Sequence, residues 1–301
     1  MATSGSSPSS PKRQRVAEAP PAGTDKLMSL PAEILDRILA QVPFQKLVRT
    51  CCLSRAWRRR WESVTKLRIE LPPGSSARVL WRCAPPVHGF HAVPDIRKRD
   101  IYRAARWLRA LARRGVRELT LRFVPSSAVS RPCRLLGPAL FSCAALVRLH
   151  LEHCYMPPAP QGFSGLPNLV SLTLIHVLLM FVGGGAQLES LIAAAPRLDE
   201  LNFHDVFSIT TVSDDEDHNV ETRAIRATNL RKLVLSILGP IDNACRVAEA
   251  LPMLEEAYIS IDCLLGTQDF VDTFERIATV NKLWFISLDE TVKVDEISRN
   301  C

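Results

Sequence analysis

No run of ~18 uncharged apolar residues occurs in this 301-residue chain, and the apolar stretch from Ile175 to Phe181 is too short to span a bilayer. The amino terminus is rich in Ser, Pro and Ala and carries no apolar signal core, so a soluble protein is expected, cytoplasmic and/or nuclear. Nine cysteines stand at irregular spacing with no CxxC pair, which fits free thiols in a reducing compartment better than a disulfide framework. The signatures of catalysis are missing as well. There is no G-x-S-x-G elbow, no G-x-x-x-x-G-K-[ST] phosphate loop and no H-E-x-x-H helix, and Gly183-Gly184-Gly185 lacks the following Lys-Ser/Thr, which leaves it a turn. Carboxylates are adjacent at Glu255-Glu256 and Asp289-Glu290, but neighbours on a strand face opposite ways and cannot share a proton. His150, His153 and Cys154 fall on an expected strand whose side chains alternate between faces, which argues against a metal site. No active site, metal or cofactor is expected, and the chain is read as a non-enzyme.

What is present is a globular composition, 47% hydrophobic, with an uneven charge. Residues 1–199 hold 29 basic and 12 acidic side chains, while residues 200–301 hold 9 and 19, so a basic half precedes an acidic one. Arg58-Arg59-Arg60 and the series Arg99, Arg103, Arg106, Arg109, Arg113 and Arg114 could neutralise phosphates. The regular spacing of the series instead favours the solvated face of a helix whose apolar side is Ile101, Ala105, Leu108 and Leu111. Residues 1–25 read as a tail without periodicity, containing the short basic run Pro11-Lys12-Arg13-Gln14-Arg15. Asp214-Asp215-Glu216-Asp217, between Ser213 and His218, reads as a solvated insertion.

Residues 30–61 carry more apolar surface than so short a segment can bury within itself. Ile34, Leu35, Ile38, Leu39 and Val42 form a wide stripe on one helix, opened by Pro31 and halted by Pro43. Phe44, Leu47, Val48 and Cys51 repeat at helical spacing, and Leu53, Trp57 and Trp61 give a third helical face. A unit of ~40 residues is near the lower limit for folding alone, so a partner surface is expected to cover the excess. Leu30-Pro31, Ile34-Leu35, Ile38-Leu39, Val42-Pro43, Val48 and Leu53-Ser54-Arg55-x-Trp57-Arg58-x-x-Trp61 resemble an F-box of the plant type. The resemblance implies docking on the Skp-family adaptor of a cullin-RING ubiquitin ligase through Leu30, Pro31, Ile34, Leu35, Ile38, Leu39, Val42, Pro43, Val48, Leu53 and Trp57.

Beyond residue 63 the pattern apolar-x-x-apolar-x-apolar recurs eight times, starting at Val64, Val116, Leu146, Leu169, Leu198, Leu230, Leu254 and Val280. Apart from an opening interval of 52 residues, the spacing lies near the ~20–29 residues of leucine-rich repeats, with some insertions. Leu166-Pro167-Asn168, Ala195-Pro196-Arg197 and Leu251-Pro252-Met253 punctuate the turns into the strands, and Ala186–Ala194 and Ala244–Ala250 have helical patterns for the return path. The segment resembles the irregular repeats that follow the F-box in plant F-box proteins. An α/β fold is expected: a tail (1–25), a three-helix F-box (27–63), a leucine-rich-repeat solenoid (64–289) and a second tail (290–301). The long interval, about 72–115, is either an insertion or a disguised repeat. Relatives of this type carry a carboxy-terminal FBD module, for which no complete span remains after residue 289.

Solenoids bind partners through the side chains that point outward from their strands. The expected target-binding residues are Arg122, Arg148, His150, Thr173, Asn202, His204, Tyr258 and Trp284, with the two aromatics as anchors. The resemblance implies a substrate-recognition subunit that works by positioning a target within the ubiquitin-conjugation pathway. The alternative is a nucleic-acid-associated or structural repeat scaffold using Arg58, Arg59 and Arg60.

Overall fold

From Leu146 onward the repeats enter their strands through the same short turn. The computed structural model describes residues 26–27, 29–64, 66–73, 77–82, 86–94, 98–123, 138–179, 184–208, 223–237, 245–247, 249–261, 274–277 and 280–287. Both expected tails, the basic run, the acidic loop, Gly183 and Asp289-Glu290 lie outside these residues. In six repeats the amide of the first apolar residue donates to the carbonyl three residues earlier: Leu146 to Cys143, Leu169 to Leu166, Leu198 to Ala195, Leu230 to Ala227, Leu254 to Leu251 and Val280 to Ile277, all at 3.0–3.2 Å. Pro167, Pro196 and Pro252 hold the second position of this turn, where a φ locked near −65° is an advantage. Asparagines tie one turn to the turn before it: Asn168 Nδ2 donates to the Ala144 carbonyl (3.4 Å) and Asn229 Nδ2 to that of Pro196 (2.7 Å).

Turns stacked in this way launch parallel strands. The described strands are β1 (Leu67–Leu71), β2 (Val87–Ala92), β3 (Glu118–Arg122), β4 (Arg148–Glu152), β5 (Tyr155–Met156), β6 (Ser171–Ile175) and β7 (Leu178–Leu179). They continue as β8 (Glu200–His204), β9 (Phe207–Ser208), β10 (Arg223–Ile225), β11 (Lys232–Ile237), β12 (Cys245–Val247), β13 (Glu256–Ile261) and β14 (Lys282–Ser287). Nine form one sheet in the order β1-β2-β3-β4-β6-β8-β11-β13-β14, with every pairing parallel. Chain order and sheet order coincide, so each repeat contacts its sequence neighbours. The short strands β5, β7 and β9 form a second parallel sheet, and β10 pairs with β12.

Two rows of side chains run through the inner face. Ile69, Phe90, Leu119, Leu149, Leu172, Leu201, Leu233, Ala257 and Leu283 pair strand to strand, as do Leu71, Ala92, Leu121, Leu151, Leu174, Phe203, Leu235, Ile259 and Phe285. All are buried except Leu283 and Phe285 on the last strand, which are partly covered.

The long opening interval holds a strand, β2, lying between the first two recognised copies. Its residues Val87-x-x-Phe90-x-Ala92 fit the repeated pattern, 23 residues after Val64 and 29 before Val116. Ala92 and the interior Gly89 had hidden it. The first copy is also displaced: the register slips between Leu67 and Arg68, so Ile69 and Leu71 meet Phe90 and Ala92. The ladder positions are therefore two residues later than the pattern from Val64 assigns.

Ahead of the sheet, α1 (Ala32–Leu39) and α2 (Phe44–Arg49) begin directly after Pro31 and Pro43. Two 3-10 segments follow, Thr50–Cys52 and Trp57–Ser63. The third helix expected across Leu53, Trp57 and Trp61 is thus a 3-10 segment that starts only at Trp57. Leu53 stays outside it and exposed, while Trp57 and Trp61 are buried, Trp61 edge-on to Phe44 at 6.1 Å. The α2 helix packs on β1, which joins this unit to the sheet.

The arginine series lies largely on α3 (Lys98–Arg113). Arg106, Arg109 and Arg113 are exposed, and Ala104, Trp107, Leu108, Ala110 and Leu111 are buried. The side chain of Ile101 lies outside the described residues, and Ala105 is half-buried at the edge of the apolar face. The second long helix, α4 (Gly184–Ala193), forms a later return segment and starts within the Gly183–Gly185 run expected to be a turn.

Candidate functional site: an apolar docking face and the outward face of the sheet

The stripe on α1 is wider than the small bundle can cover, and the helix divides it. Leu35 and Leu39, one turn apart, are 3% and 4% exposed, whereas Ile34 and Ile38, offset by one residue, are 47% and 43% exposed. Leu53 is 67% exposed and Leu27 49%. Three residues expected at a docking face, Leu35, Leu39 and Trp57, therefore point into the chain's own core. Leu30, Val42 and Val48 are partly buried against that core, and Pro31 and Pro43 are exposed. An unpartnered apolar surface remains at Ile34, Ile38 and Leu53.

The arginines nearby have unequal surroundings. Arg60 Nη2 donates to Asp36 Oδ1 at 2.8 Å, both groups about one-fifth exposed, and thereby ties the second 3-10 segment to α1. Arg59 approaches Glu62 at 4.0 Å and remains largely in solvent. Arg60 serves the bundle itself, so the three arginines do not form one outward phosphate-binding set.

On the sheet, the strand register gathers the expected target residues into three outward rows. The first contains Arg148, Ser171, Glu200, Lys232, Glu256 and Lys282. The second contains His91, Thr120, His150, Thr173, Asn202, Val234, Tyr258 and Trp284, and the third Arg122, Glu152, Ile175, His204, Ser236, Ser260 and Ile286. Sequence reasoning did not single out His91, Val234, Ile175 or Ile286. Strand alternation would have found the last three, and His91 required β2.

Arg68 and Glu118 continue the first row toward β1, and several of its charges are paired across strands. Glu118 accepts from Arg68 (3.1 Å) and Arg148 (3.3 Å). Arg68 lies two strands from Glu118, and Gly89 between them provides the passage: a Cβ there would stand 3.0 Å from Arg68 Cγ. Glu256 is bonded to Lys282 (2.8 Å), with Lys232 at 3.8 Å, and the Lys282 bond holds its carboxyl below the usual range. The aromatic anchors lie beside this pair, Tyr258 half-buried and Trp284 45% exposed.

At the strand ends the same step recurs three times. His153, His176 and Asp205 directly follow β4, β6 and β8 with left-handed φ of 54°, 49° and 48°. Their amides donate to Ile175, His204 and Ser236 carbonyls at 2.8–3.0 Å. Stacking of equivalent positions places the His153 and His176 rings parallel, 4.5 Å apart, with His176 Nδ1 3.1 Å from the buried Asp205 carboxylate. Burial lowers the pKa of His150, His153 and His204; the nearby His176 lowers the latter two further. Burial pushes Glu152 up, but the hydrogen bond and charge of Arg122 at 2.6 Å outweigh it and hold the carboxyl below its ordinary value. This cluster was not visible in the sequence, where His153 and His176 are 23 residues apart.

Among the described residues no helix is long and apolar enough to cross a membrane. The F-box domain model matches residues 27–69, and the model for FBD-associated F-box protein At5g56370, LRR repeats, matches residues 104–287. Similar proteins from Arabidopsis thaliana include F-box/FBD/LRR-repeat protein At1g13570, 29% identical over 195 residues, covering 59% of this chain and 44% of that protein. Putative F-box/FBD/LRR-repeat protein At5g22670 is 27% identical over 228 residues, 71% of this chain and 46% of its own length. FBD-associated F-box protein At5g38590 is 26% identical over 294 residues, with coverage of 88% and 67%. The chain spans about half the length of the first relatives it matches.

Proposed function

The chain belongs to the leucine-rich-repeat family of FBD-associated F-box proteins, and on that premise we propose that it is the substrate-recognition subunit of an SCF-type ubiquitin ligase. The amino-terminal unit acts as the trihelical F-box and the nine-strand sheet as the concave face of a repeat solenoid. The observation that carries the reading is the unpartnered apolar surface of Ile34, Ile38 and Leu53 in a unit whose Leu35, Leu39, Phe44, Leu47, Trp57 and Trp61 pack inward. These three side chains dock on a Skp-family adaptor, and Leu30, Pro31, Val42, Pro43 and Val48 form the border of the contact.

The outward rows of the sheet receive the target protein. Arg68, Arg148 and Glu118, and Lys232, Lys282 and Glu256, are engaged with one another, so the reading places the main contacts at Thr173, Asn202, Tyr258 and Trp284, flanked by Arg122, Arg148, His150 and His204. Interface energy concentrates in such aromatic and Arg side chains. The receptor performs no chemistry of its own; it holds the target near the conjugating enzyme, and the rate gain is one of proximity.

Co-purification with a Skp-family adaptor tests the first part. Ile38→Glu with Leu53→Glu is expected to abolish capture while the chain remains folded by circular dichroism. Undiminished capture by the folded double variant rejects the reading. Target recovery should fall with Tyr258→Ala plus Trp284→Ala, and equal recovery would reject the outward-face assignment.

A further inference from the structure

Two thiols stand together beside the docking face. Cys51 and Cys52 end the 3-10 segment Thr50–Cys52, the first half-buried and the second exposed, with their Sγ atoms 3.9 Å apart. They directly precede Leu53, the most exposed of the large apolar side chains. Cys143 and Cys154, by contrast, are buried, and burial pushes the Cys143 thiol up to about 12.

An ordinary disulfide does not suit this pair. Successive Cα atoms are about 3.8 Å apart across a trans peptide, whereas disulfides span about 4.4–6.8 Å between Cα atoms. A single bridging atom removes the conflict. With sulfur bonds of about 2.3 Å, a pyramidal centre with angles of about 95° holds two sulfurs roughly 3.4 Å apart, whereas a linear bridge would need about 4.6 Å. From the observed 3.9 Å a small rotation of either side chain closes the bent bridge.

The number of ligands narrows the choice of bridging atom. Zinc in a structural site takes four protein ligands, and among the described residues no group of three or more His, Cys, Asp or Glu could hold a metal ion. A trivalent arsenic centre needs two thiols, because its third substituent is a hydroxyl or carbon group of its own. Burial and the adjacent Cys52 raise the Cys51 thiol above its ordinary value against the opposing charge of Arg58, so the thiol keeps its proton at pH 7. Zinc binding must expel such protons. Exchange with arsenite removes them too but supplies their acceptor: two As–O bonds break, two As–S bonds form, and each thiol proton leaves with a departing oxygen as a molecule of water, with no change of oxidation state.

We propose that Cys51 and Cys52 form a dithiol site for trivalent arsenicals, and that filling it blocks docking of the adaptor. The second clause rests on the adaptor reading above, through the contact of Leu53.

The test uses the full, reduced chain with phenylarsine oxide at equimolar amount, followed by an excess of a monothiol that strips singly attached arsenic. Peptide mass mapping is expected to find one phenylarsenic group bridging Cys51 and Cys52. Cys51→Ser and Cys52→Ser should each lose it with unchanged circular dichroism. Absence of the bridged peptide in the wild type, or its persistence in either variant, overturns the site, as does equally stable zinc binding by the pair. Titration with the adaptor is expected to show at least a tenfold loss of affinity after arsenical loading of the wild type and none for treated Cys51→Ser. Full affinity in a loaded wild type overturns the blocking step. If the untreated chain fails to bind the adaptor, the docking proposal falls instead, and the bridged peptide still decides the dithiol site.

Discussion

Trimming α1 one residue at a time separates what the stripe does for folding from what it does for docking. Leu39 is 4% exposed, and truncating a buried leucine to alanine removes about 2–5 kcal/mol, the spread depending on how far the cavity collapses. At roughly 2–4 °C per kcal/mol for a chain of this size class, Leu39→Ala should lower the Tm by about 4–20 °C. Ile38 is 43% exposed, so a little over half of its burial is realised in the free chain. Complete burial of such a side chain is worth about 1.5–3 kcal/mol, which leaves roughly 1 kcal/mol to be gained when a partner covers the rest. Ile34, at 47%, has the same reserve. Ile34→Ala with Ile38→Ala should therefore weaken adaptor binding by about 2 kcal/mol, close to 30-fold in Kd. Isothermal titration against a purified Skp-family adaptor, with thermal unfolding of the same samples, reads both quantities. An unchanged Kd for the isoleucine pair, or a larger loss from a still-folded Leu39→Ala, would refute the division of the stripe.

Gly165 has φ +100° and faces Ala194, whose carbonyl oxygen would lie 2.9 Å from an added Cβ and whose own Cβ would lie closer still; Gly165→Ala should cost about 1–3 kcal/mol, checked by denaturant midpoint. The histidines His150, His153 and His204 titrate below their ordinary 6.5 when folded, so the unfolded chain takes up their protons first as pH falls. Their contribution is complete above about pH 6.5 and is lost below it, and Glu152 adds a further loss below about pH 4.5, so the Tm should decline between pH 7 and 5, less steeply in His153→Gln. A Tm that rises on acidification would contradict these shifts. A double-mutant cycle on Asp36→Ala and Arg60→Ala should return a coupling of about 1 kcal/mol; a value near zero would mean that the ion pair does not hold the 3-10 segment to α1.

Legibility followed the range of the interaction. Eight repeats could be counted because inward residues alternate along one strand, and alternation is a local property of the chain. The ninth, β2, was lost because Ala92 occupies a ladder position with little apolar signal and Gly89 interrupts the strand, and only pairing with β1 and β3 shows that both belong. Gly89 is small because Arg68 passes over it to Glu118, a contact between residues 50 apart. Outward positions could be read by alternation on every recognised strand, although Val234, Ile175 and Ile286 were passed over, and His91 was hidden with its strand.

The apolar content of residues 30–61, the prolines that open the helices and turns, and the leucine period are written in the order of residues. Those features suffice to say that an F-box-like unit precedes a stack of parallel strands. Which half of the α1 stripe faces inward was not written there, because Ile34 and Leu35 are equally apolar and only the positions of Phe44, Trp57 and Trp61 decide which of them is covered. The stacked pair of His153 and His176, the turn of Arg60 toward Asp36 and the close approach of charges along the sheet have the same origin. Each depends on the register between segments distant in sequence, and register is settled by packing the whole inner face at once.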